Sequence, residues 1–407
     1  NVYVYGKSNN DASYCNQNIS SGAFLAKHDP GGNLLWLKDF PKVQPTHDIG
    51  DKISLDSRNG RIFISGTFHE EFTIPGGGSL SPEGQNSIFI LKFDTEDVFL
   101  WTQRIGNIGA NKLDMSTDHS GNLIVSTIIA LDEGQNLQIG DKTYQGPLSP
   151  HVLLIKYDQG GNILWSETAG GEGQEYLGIT SCDAQDNIYL TGEFTSTTVS
   201  IGNAETQLYD GEGNIFMAKL NPQGQAIWLR SHGGAVGHSG SSDYLCWPTG
   251  ITTLPDGYSY IKGWHCDSTA FSDTVLTNEY GAIYNHFIGL FDPQGEALWV
   301  HSIDQETQSF DYNQMDTDRK GNVYLGAQIG GCVHFKCFES EYTFEAVGKQ
   351  DLFVARYSRK GNIDWVKPLA NRNGNSWLSA VAATDTHAVY VGGVFNDYLS
   401  PGEAIYT

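Results

Sequence analysis

The sequence lacks the patterns that identify helical, membrane-spanning and metal-dependent proteins. No segment shows a sustained helical hydrophobic period, so we expect an all-β class. No stretch approaches the roughly 20 apolar residues that a membrane-spanning helix needs. Neither a CxxC pair nor a Cys/His zinc spacing occurs, and HExxH and GxSxG are also absent. These absences leave no motif for a zinc site, a zinc protease or a serine hydrolase.

Positive charge is also scarce. The chain has 24 Lys and Arg residues against 47 Asp and Glu residues, which gives a formal net charge of −23. Because no basic stripe is present to displace counterions, nucleic acid and anionic membrane surfaces are disfavoured as partners. The acidity itself indicates solubility. No signal peptide is visible, but the sequence begins inside a strand-like run, so we expect the natural start to lie upstream.

What is present is a repeat with two landmarks. The first is a tryptophan that follows a glycine-bearing hairpin, at intervals of 63 to 71 residues: Trp36, Trp101, Trp165, Trp228, Trp299 and Trp365. The second is a run of the type NVYVYG, which begins at Asn1, Arg61, Asn122, Asn187, Tyr258, Asn322 and Ala388. A period of this length, with alternating β-branched and aromatic residues, predicts the blades of a β-propeller.

Each repeat reads as four strands, which we call a to d. The a-to-b and c-to-d links are tight turns such as DHSGN and DPGGN, whereas the b-to-c and d-to-a links are longer and vary in length. In an up-and-down meander these two kinds of link fall on opposite faces. We therefore expect one uniform face and one variable-loop face, and binding sites usually lie on variable loops.

The strand count bears on blade number. Seven b strands and six each of a, c and d give 25 strands, and three further strands would complete seven blades of four. We expect residues 1–407 to form a single propeller domain of seven blades, within a longer chain; six blades is the alternative.

Two pairs of cysteines suggest disulfides. A three-residue turn at Pro255–Gly257 would place Cys246 opposite Cys266 if no bulge intervenes. A two-residue turn at His334–Phe335 would likewise place Cys332 opposite Cys337. Two such bonds would indicate an oxidising compartment, so that the protein would be secreted or periplasmic.

The units GNVYLG and AKHDPGGNLLW resemble the bacterial seven-bladed propeller repeat of secreted and surface proteins, and the resemblance covers almost the whole chain. It implies a propeller fold and an exported, cell-surface protein, and says little about activity. Ala26, Gly32 and Trp36 are also similar to the tryptophan-docking motif of quinone-dependent dehydrogenases. Those enzymes carry adjacent cysteines that this chain lacks, so we interpret the motif as packing between blades.

Candidate binding residues are aromatic and acidic. Trp247, Trp264 and Trp377 fall outside the repeat, and the first two flank the expected Cys246–Cys266 pair. An acid–aromatic signature precedes several a strands, so further candidates lie near the mouth of a channel: Tyr176, Asp243, Tyr244, Asp311 and Tyr312. These residues would either bind a ligand or have structural roles, through packing of the tryptophans and hydrogen bonding of the loop backbone. We expect no metal site, since the Asp-x-x-Gly-Asn turns only weakly resemble calcium loops.

The leading hypothesis is a non-enzymatic secreted or surface propeller that binds a protein or glycan partner through its variable-loop face. An enzyme is the second hypothesis, either quinone-dependent or carbohydrate-active. A structural component of a larger surface or secretion assembly is the third.

Overall fold

The computed structural model is all-β, as the sequence predicts. Contacts divide the chain into two compact units, Asn1–Thr180 and Ser181–Thr407. The structure describes residues 1–8, 10–41, 52–83, 87–106, 113–207, 214–233, 246–265, 268–278, 284–305, 314–329, 331–338, 340–345, 351–370, 376–384, 388–395, 400–401 and 405–406.

The first unit contains three blades of antiparallel strands. Its strands are β1 (Val2–Ser8), β2 (Ala12–Tyr14), β3 (Gln17–Ile19), β4 (Gly22–His28), β5 (Leu34–Pro41), β6 (Lys52–Asp56), β7 (Arg61–Phe68), β8 (Phe72–Thr73), β9 (Ser79–Leu80), β10 (Ser87–Asp94), β11 (Phe99–Ile105), β12 (Leu113–Thr117), β13 (Leu123–Leu131), β14 (Asn136–Ile139), β15 (Lys142–Gln145), β16 (Leu148–Tyr157) and β17 (Ile163–Gly170). Blade 1 is β1, β4 and β5; blade 2 is β6, β7, β10 and β11; blade 3 is β12, β13, β16 and β17. The boundary between the units falls within the next strand, β18 (Glu175–Cys182).

The second unit continues the same pattern. Its strands are β19 (Ile188–Phe194), β20 (Thr198–Ile201), β21 (Ala204–Gln207), β22 (Asn214–Leu220), β23 (Ala226–His232), β24 (Trp247–Thr253), β25 (Ser259–His265), β26 (Ser268–Phe271), β27 (Thr274–Thr277), β28 (Asn285–Phe291), β29 (Ala297–Gln305), β30 (Gln314–Thr317), β31 (Val323–Ile329), β32 (Cys332–Cys337), β33 (Ser340–Glu345), β34 (Asp351–Tyr357), β35 (Ile363–Ala370), β36 (Ser376–Ala383), β37 (Val389–Phe395), β38 (Ser400–Pro401) and β39 (Ile405–Tyr406). Blade 4 is β18, β19, β22 and β23; blade 5 is β24, β25, β28 and β29; blade 6 is β30, β31, β34 and β35. β36 and β37 pair in a separate sheet.

The fold class is a β-propeller with six blades, the alternative count rather than the leading one. Seven b strands and six each of a, c and d occur among the described residues, which confirms the assignment of strands within the repeat. The b and c strands of blades 2 to 5 are almost wholly buried, because they lie in the middle of their sheets and pack on both faces. Within each unit, a strands of consecutive blades lie side by side, β6 by β12 and β24 by β30.

The repeated tryptophan connects a blade to the next one. The Trp101 indole donates to the carbonyl of Gln159, and Trp228 and Trp299 donate to those of Pro293 and Arg359, at 3.0 to 3.1 Å. Each acceptor lies in the c-to-d turn of the following blade. The glycine of that turn has a positive φ, and a Cβ on Gly161 would lie 3.1 Å from the Trp101 ring. The interpretation of the motif as packing between blades is confirmed for these three tryptophans.

The tight turns hold themselves in place through their first residue. Asp158 accepts hydrogen bonds from the backbone of Gly160 and Asn162 and from the Asn162 side chain, all at 2.8 Å. These bonds, the Asn162 side chain foremost, lower the pKa of Asp158. Both carboxylate oxygens therefore serve the turn itself.

The b-to-c links are more regular than the variable-loop expectation suggested. Four of them form separate two-stranded sheets, β2–β3, β8–β9, β14–β15 and β26–β27, and β20 also pairs with β21. The link in the following repeat, β32–β33, extends blade 5 because β32 pairs with β29. Most d-to-a links, including the long one from His232, lie largely outside the described residues.

Both disulfide expectations require correction. Cys332 and Cys337 are the two ends of one continuous strand, β32, so the expected turn at His334–Phe335 is wrong and both residues are thiols. A bulge at Thr249 shifts the register between β24 and β25, since Pro248 pairs with Gly263 but Gly250 pairs with Lys262. Trp247 therefore pairs with Trp264, whereas the expected Cys246–Cys266 pair requires Trp247 to lie opposite His265. Cys246 is a thiol that donates to the Trp264 carbonyl, and Cys266 lies outside the described residues.

Candidate functional site

Blade 5 departs from the repeat at four positions that are buried in the blades compared, except for the half-buried Gly106 of blade 2. Lys262 replaces the Ser65, Ser126 and Thr191 of blades 2 to 4, and His265 replaces Phe68, Ile129 and Phe194. On the next strand His286 replaces Ile88, Val152 and Ile215, and on the outer strand Asp304 replaces Gly106, Gly170 and Gly233. Buried ionisable residues are rare unless they are paired.

One side of the blade 5 sheet carries an aromatic cluster. Trp247 on β24 pairs with Trp264 on β25, and Trp264 pairs in turn with His286 on β28. The Trp264 and His286 rings are 3.8 Å apart, and Tyr284 lies 5.2 Å from Trp247. Trp264 is buried, and its indole N–H has no hydrogen-bond partner within the described ranges. Trp247 is only half-buried, so it presents this cluster to solvent.

Lys262 fixes the bulge that positions Trp247. Its ammonium donates to the backbone oxygen and the side-chain hydroxyl of Thr249, at 3.2 and 3.1 Å. Thr249 is the extra residue of the bulge, and a Cβ on the neighbouring Gly250 would lie 2.7 Å from the lysine side chain. The buried cation thus satisfies polar groups that the bulge leaves outside the strand ladder.

The other side of the sheet carries a chain of polar groups. His265 Nε2 lies 2.7 Å from the Ser302 hydroxyl, which donates to Asp304. Asp304 also pairs with Lys336 of β32 at 2.7 Å, so the chain ends on the added hairpin. Since Ser302 donates to the carboxylate, its oxygen is left to accept from His265.

Serine, histidine and aspartate meet here without the geometry of a nucleophilic triad. In a triad the acid binds the ring nitrogen opposite the serine. Asp304 instead lies 4.0 Å from Nε2, the nitrogen that faces Ser302. His265 and Asp304 are fully buried and Ser302 is nearly so, so no substrate reaches the hydroxyl. This chain of groups stabilises the attachment of β32–β33 to blade 5.

Three buried histidines of the second unit, His232, His286 and His301, have a pKa below the ordinary value. Burial, together with the nearby Lys262 and His265, lowers the pKa of His286 to about 3. Burial likewise lowers the pKa of His232 and of His301 to about 4. A charged imidazolium at these places would lack the solvation that it has in water.

The structure relates three of the candidate aromatics to one repeat position. Tyr176, Trp247 and Trp377 each lie six residues before the last residue of their a strand, at the loop-side end of the strand. The structural role expected for the acid of the signature is confirmed at Glu175, whose buried carboxylate accepts from the backbone of Gly171 at 3.1 Å. Asp243, Tyr244, Asp311 and Tyr312 lie outside the described residues.

Sequence reasoning missed the buried ionisable residues that distinguish blade 5. Lys262, His265, His286 and Asp304 lie inside strand-like runs, where the repeat pattern drew attention to similarity between units. A position-by-position comparison of the units would have found them. Lys336 has no comparable signal, because its role depends on β32 joining β29.

A shallow cavity of about 260 Å³ lies elsewhere in the second unit, beside Arg230, His232 and Glu296. Arg230 donates to the Gln294 carbonyl at 2.7 Å and pairs with Glu296 at 3.2 Å. His232 bonds the Gly295 carbonyl. The polar groups of this cavity are thus already engaged within the protein.

Two further searches gave no result within the described ranges. No group of three or more His, Cys, Asp or Glu residues has an arrangement that could hold a metal ion. The same ranges contain no helix of the length and apolarity that crossing a bilayer requires.

Fold and site together define a β-propeller with one specialised blade, and no family model matches the chain. A curated relative is an uncharacterized WD repeat-containing protein of Acanthamoeba polyphaga mimivirus, 26% identical over 240 residues. The match covers 51% of this chain and 16% of that protein, so the chain spans about a sixth of its length.

Two solved structures also show similarity. One is a Bacteroides caccae protein of unknown function, with 10% identity and a TM-score of 0.30 over 74% of this chain and 93% of that one. The other is a protein of unknown function from Dyadobacter fermentans, with 8% identity and a TM-score of 0.35 over 78% and 92%.

Proposed function

We propose that this chain is a non-catalytic interaction module that binds a protein partner through the loop-side end of blade 5, with Trp247 as the principal contact. The observation that carries the proposal is the departure of blade 5 from the repeat. Ionisable residues replace small or apolar ones there: His286 packs against Trp264, the buried neighbour of the half-buried Trp247, and Lys262 holds the bulge at Thr249, two residues after Trp247. Blades 2 to 4 fold with Ser, Thr or aliphatic residues at those two positions, so the fold itself does not require the change.

A protein partner fits the chemistry of this surface. Tryptophan and tyrosine are the residues most often found at the energetic centre of protein interfaces. Lys262 holds the bulge and thereby sets the position of Trp247 before any partner arrives, which lowers the entropic cost of binding. The similarity to a WD repeat-containing protein is consistent with this role, because propellers commonly serve as interaction scaffolds.

A glycan is the second candidate partner, and one observation favours it. Trp247 is half-buried and its ring centroid is 6.0 Å from that of Trp264, so the two indoles form one aromatic surface of which Trp247 is the accessible part. Sugar ring faces stack on tryptophan. Export to the cell surface also stays part of the proposal, although it now depends on the family resemblance alone, since the described cysteines are thiols.

The test compares two aromatic residues at the same repeat position. Immobilised wild-type protein, Trp247→Ala and Tyr176→Ala would be used to capture partners from the extracellular and membrane fractions of the source cells and on a glycan array. We expect Trp247→Ala to bind the captured partner at least about tenfold more weakly than the wild type, and Tyr176→Ala to bind it as the wild type does. Equal binding by all three proteins would contradict the proposal. Circular dichroism and thermal melting would verify that both variants are folded.

A further inference from the structure

The outer edge of blade 4 differs from the outer edges of blades 5 and 6. In those two blades a strand of the following repeat pairs antiparallel with the outer strand, β32 with β29 and β38 with β35. Within the described residues the sheet of blade 4 ends at β23, and the next hairpin, β26–β27, forms a sheet of its own. The outer edge of β23 is therefore without the strand that its counterparts have.

The β26–β27 hairpin is attached to blade 4 at one end of this edge. Gly233, which directly follows β23, donates its backbone N–H to the Ala270 carbonyl of β26 at 2.7 Å. Asp304 in blade 5 and Ala370 in blade 6 have the same repeat position as Gly233, and there the pairing continues into the outer strand. In blade 4 the two strands separate instead, and residues of both line the cavity of about 260 Å³.

The backbone of β23 faces this cavity. Successive residues of a strand direct their N–H and C=O groups to alternate edges. Because the Gly233 N–H points to β26, the backbone groups of Ser231 and Leu229 point the same way, and both residues line the cavity. Pro368 of blade 6 has the repeat position of Ser231, three residues after the tryptophan. Since proline has no N–H, its presence there agrees with an N–H that faces away from the sheet.

The groups left open at this edge belong to the backbone. The Ser231 hydroxyl, in contrast, donates to the Gln207 carbonyl at 2.7 Å. Within the described residues β23 pairs only with β22, so the outward N–H and C=O groups of Leu229 and Ser231 have no strand to bond. The edge also carries an apolar side chain near its start, since Ile227 is 53% exposed. Open backbone groups beside an exposed aliphatic residue are what an incoming strand can use.

We propose that this edge of β23 binds an extended segment of a partner protein, which pairs antiparallel with Leu229 and Ser231 and places an apolar side chain against Ile227. The occupant is a strand because β32 and β38 fill the same place in blades 5 and 6. A second copy of the chain would have to release such a strand from its own blade, whereas a partner with an unpaired segment would not. The site does not include Trp247, so either proposal can fail without the other.

Fluorescence anisotropy with a labelled copy of β32 would test the proposal. The peptide contains residues 331–338, with serine in place of both cysteines, and a scrambled peptide of the same composition should not bind. We expect saturable binding to the wild type and at least about tenfold weaker binding to Ser231→Pro, which removes one outward N–H. Ser231→Ala is the matched control and should bind as the wild type does. Thermal melting would verify that Ser231→Pro is folded, which Pro368 in blade 6 leads us to expect.

Three results would overturn the proposal. The first is that the wild type shows no saturable binding of the peptide, and the second is that Ser231→Pro and Ser231→Ala bind it equally. The third is a wild-type dimer, seen by sedimentation, that Ser231→Pro abolishes, because the edge would then belong to a second copy of the chain.

Ile227→Ser would test the apolar contact. We expect it to bind the peptide about fivefold more weakly without a change in melting temperature, because Ile227 is exposed in the free protein. Leu298→Ser is the matched control, since Leu298 has the same repeat position in blade 5 and is 54% exposed. Equal losses in the two variants would overturn the assigned contact.

Amide hydrogen exchange would test the geometry of the edge without a mutation. In the free protein we expect the amides of Leu229 and Ser231 to exchange at least about tenfold faster than those of Arg230 and His232, which face β22. The first two amides should slow when the peptide binds, and the other two should not change. If all four exchange equally slowly in the free protein, the edge is already covered and the proposal is wrong.

Discussion

Blades 3 and 5 have the same strand order, and the c-to-d turn of each accepts a hydrogen bond from the tryptophan of the preceding blade, but their interiors differ. At the four repeat positions blade 3 contains Ser126, Ile129, Val152 and Gly170, and blade 5 contains Lys262, His265, His286 and Asp304. Ser126 bonds directly to the neighbouring carbonyl of Gly178, whereas Lys262 must reach to a bulge. The difference separates residues that every blade needs from residues that serve one blade only.

The largest expected effect concerns the repeated contact between a tryptophan and the turn of the next blade. Trp101→Ala in blade 2 and Trp299→Ala in blade 5 each remove an indole from the turn of the following blade. We expect each to lower the free energy of unfolding by about 3 kcal/mol or more, measured by denaturant titration. Trp299 should cost somewhat more, since it is more buried and stacks on His301. A change below about 1 kcal/mol in either variant would refute the docking role.

The next effect belongs to blade 5 alone. Asp304→Ala leaves the Ser302 hydroxyl and the Lys336 ammonium without their buried acceptor. Because Lys336 is partly exposed and can regain water, we expect a loss of about 3 kcal/mol, at the lower end for a broken buried pair. Asp304→Ala/Lys336→Met should recover a large part of that loss. Additive losses in the double variant would show that the two side chains do not depend on each other.

Acid should destabilise the second unit through its buried histidines. His286 has a pKa of about 3 when folded, against about 6.5 when unfolded, so the unfolded chain binds the additional proton between these values. The contribution of the neutral His286 to the free energy of unfolding is complete above pH 6.5 and is lost as the pH falls. The loss amounts to about 2 kcal/mol at pH 5. His286→Val introduces the residue of blade 3. This variant should take up about one proton fewer on unfolding in acid, so its free energy of unfolding should depend less steeply on pH. An unchanged slope would contradict a neutral buried His286.

The smallest effect concerns the inner strands. The Ser181 hydroxyl accepts the Thr253 N–H of the neighbouring inner strand at 2.8 Å. Ser181→Ala should lower the free energy of unfolding by about 1 kcal/mol and increase hydrogen exchange at Thr253. Ser181→Thr, which keeps the acceptor, is the control. Equal exchange in the two variants would show that this bond is unimportant.

Much of the fold was predictable from the sequence, because repetition compensates for weak local signals. One glycine turn or one tryptophan says little, but six tryptophans in register identified the blade and its docking residue. The Cys246–Cys266 expectation failed at a single residue, since the bulge at Thr249 depends on Lys262 reaching across the sheet. The Cys332–Cys337 turn failed because β32 gains pairing from β29, a partner that local sequence does not reveal.

The candidate site was only partly predictable. Trp247 stood out because it falls outside the repeat, and it is indeed the half-buried residue of the aromatic cluster. The buried ionisable residues of blade 5 were missed because each lies in an ordinary strand, and they come together only in the folded chain. Asp304 and Lys336 are far apart in sequence and form a pair only because the b-to-c hairpin joins the outer strand.

The most direct test is a variant in which blade 5 regains the residues of blade 3: Lys262→Ser, His265→Ile, His286→Val and Asp304→Gly, with Lys336→Met to avoid leaving a cation without its carboxylate. Its unfolding free energy and its affinity for the captured partner would be measured side by side with the wild type. We predict a folded protein of equal or greater stability, because apolar residues often replace buried ionic groups without loss, and binding reduced at least about tenfold. An unfolded variant, or a folded one that binds as the wild type does, would contradict the claim that blade 5 is specialised for binding.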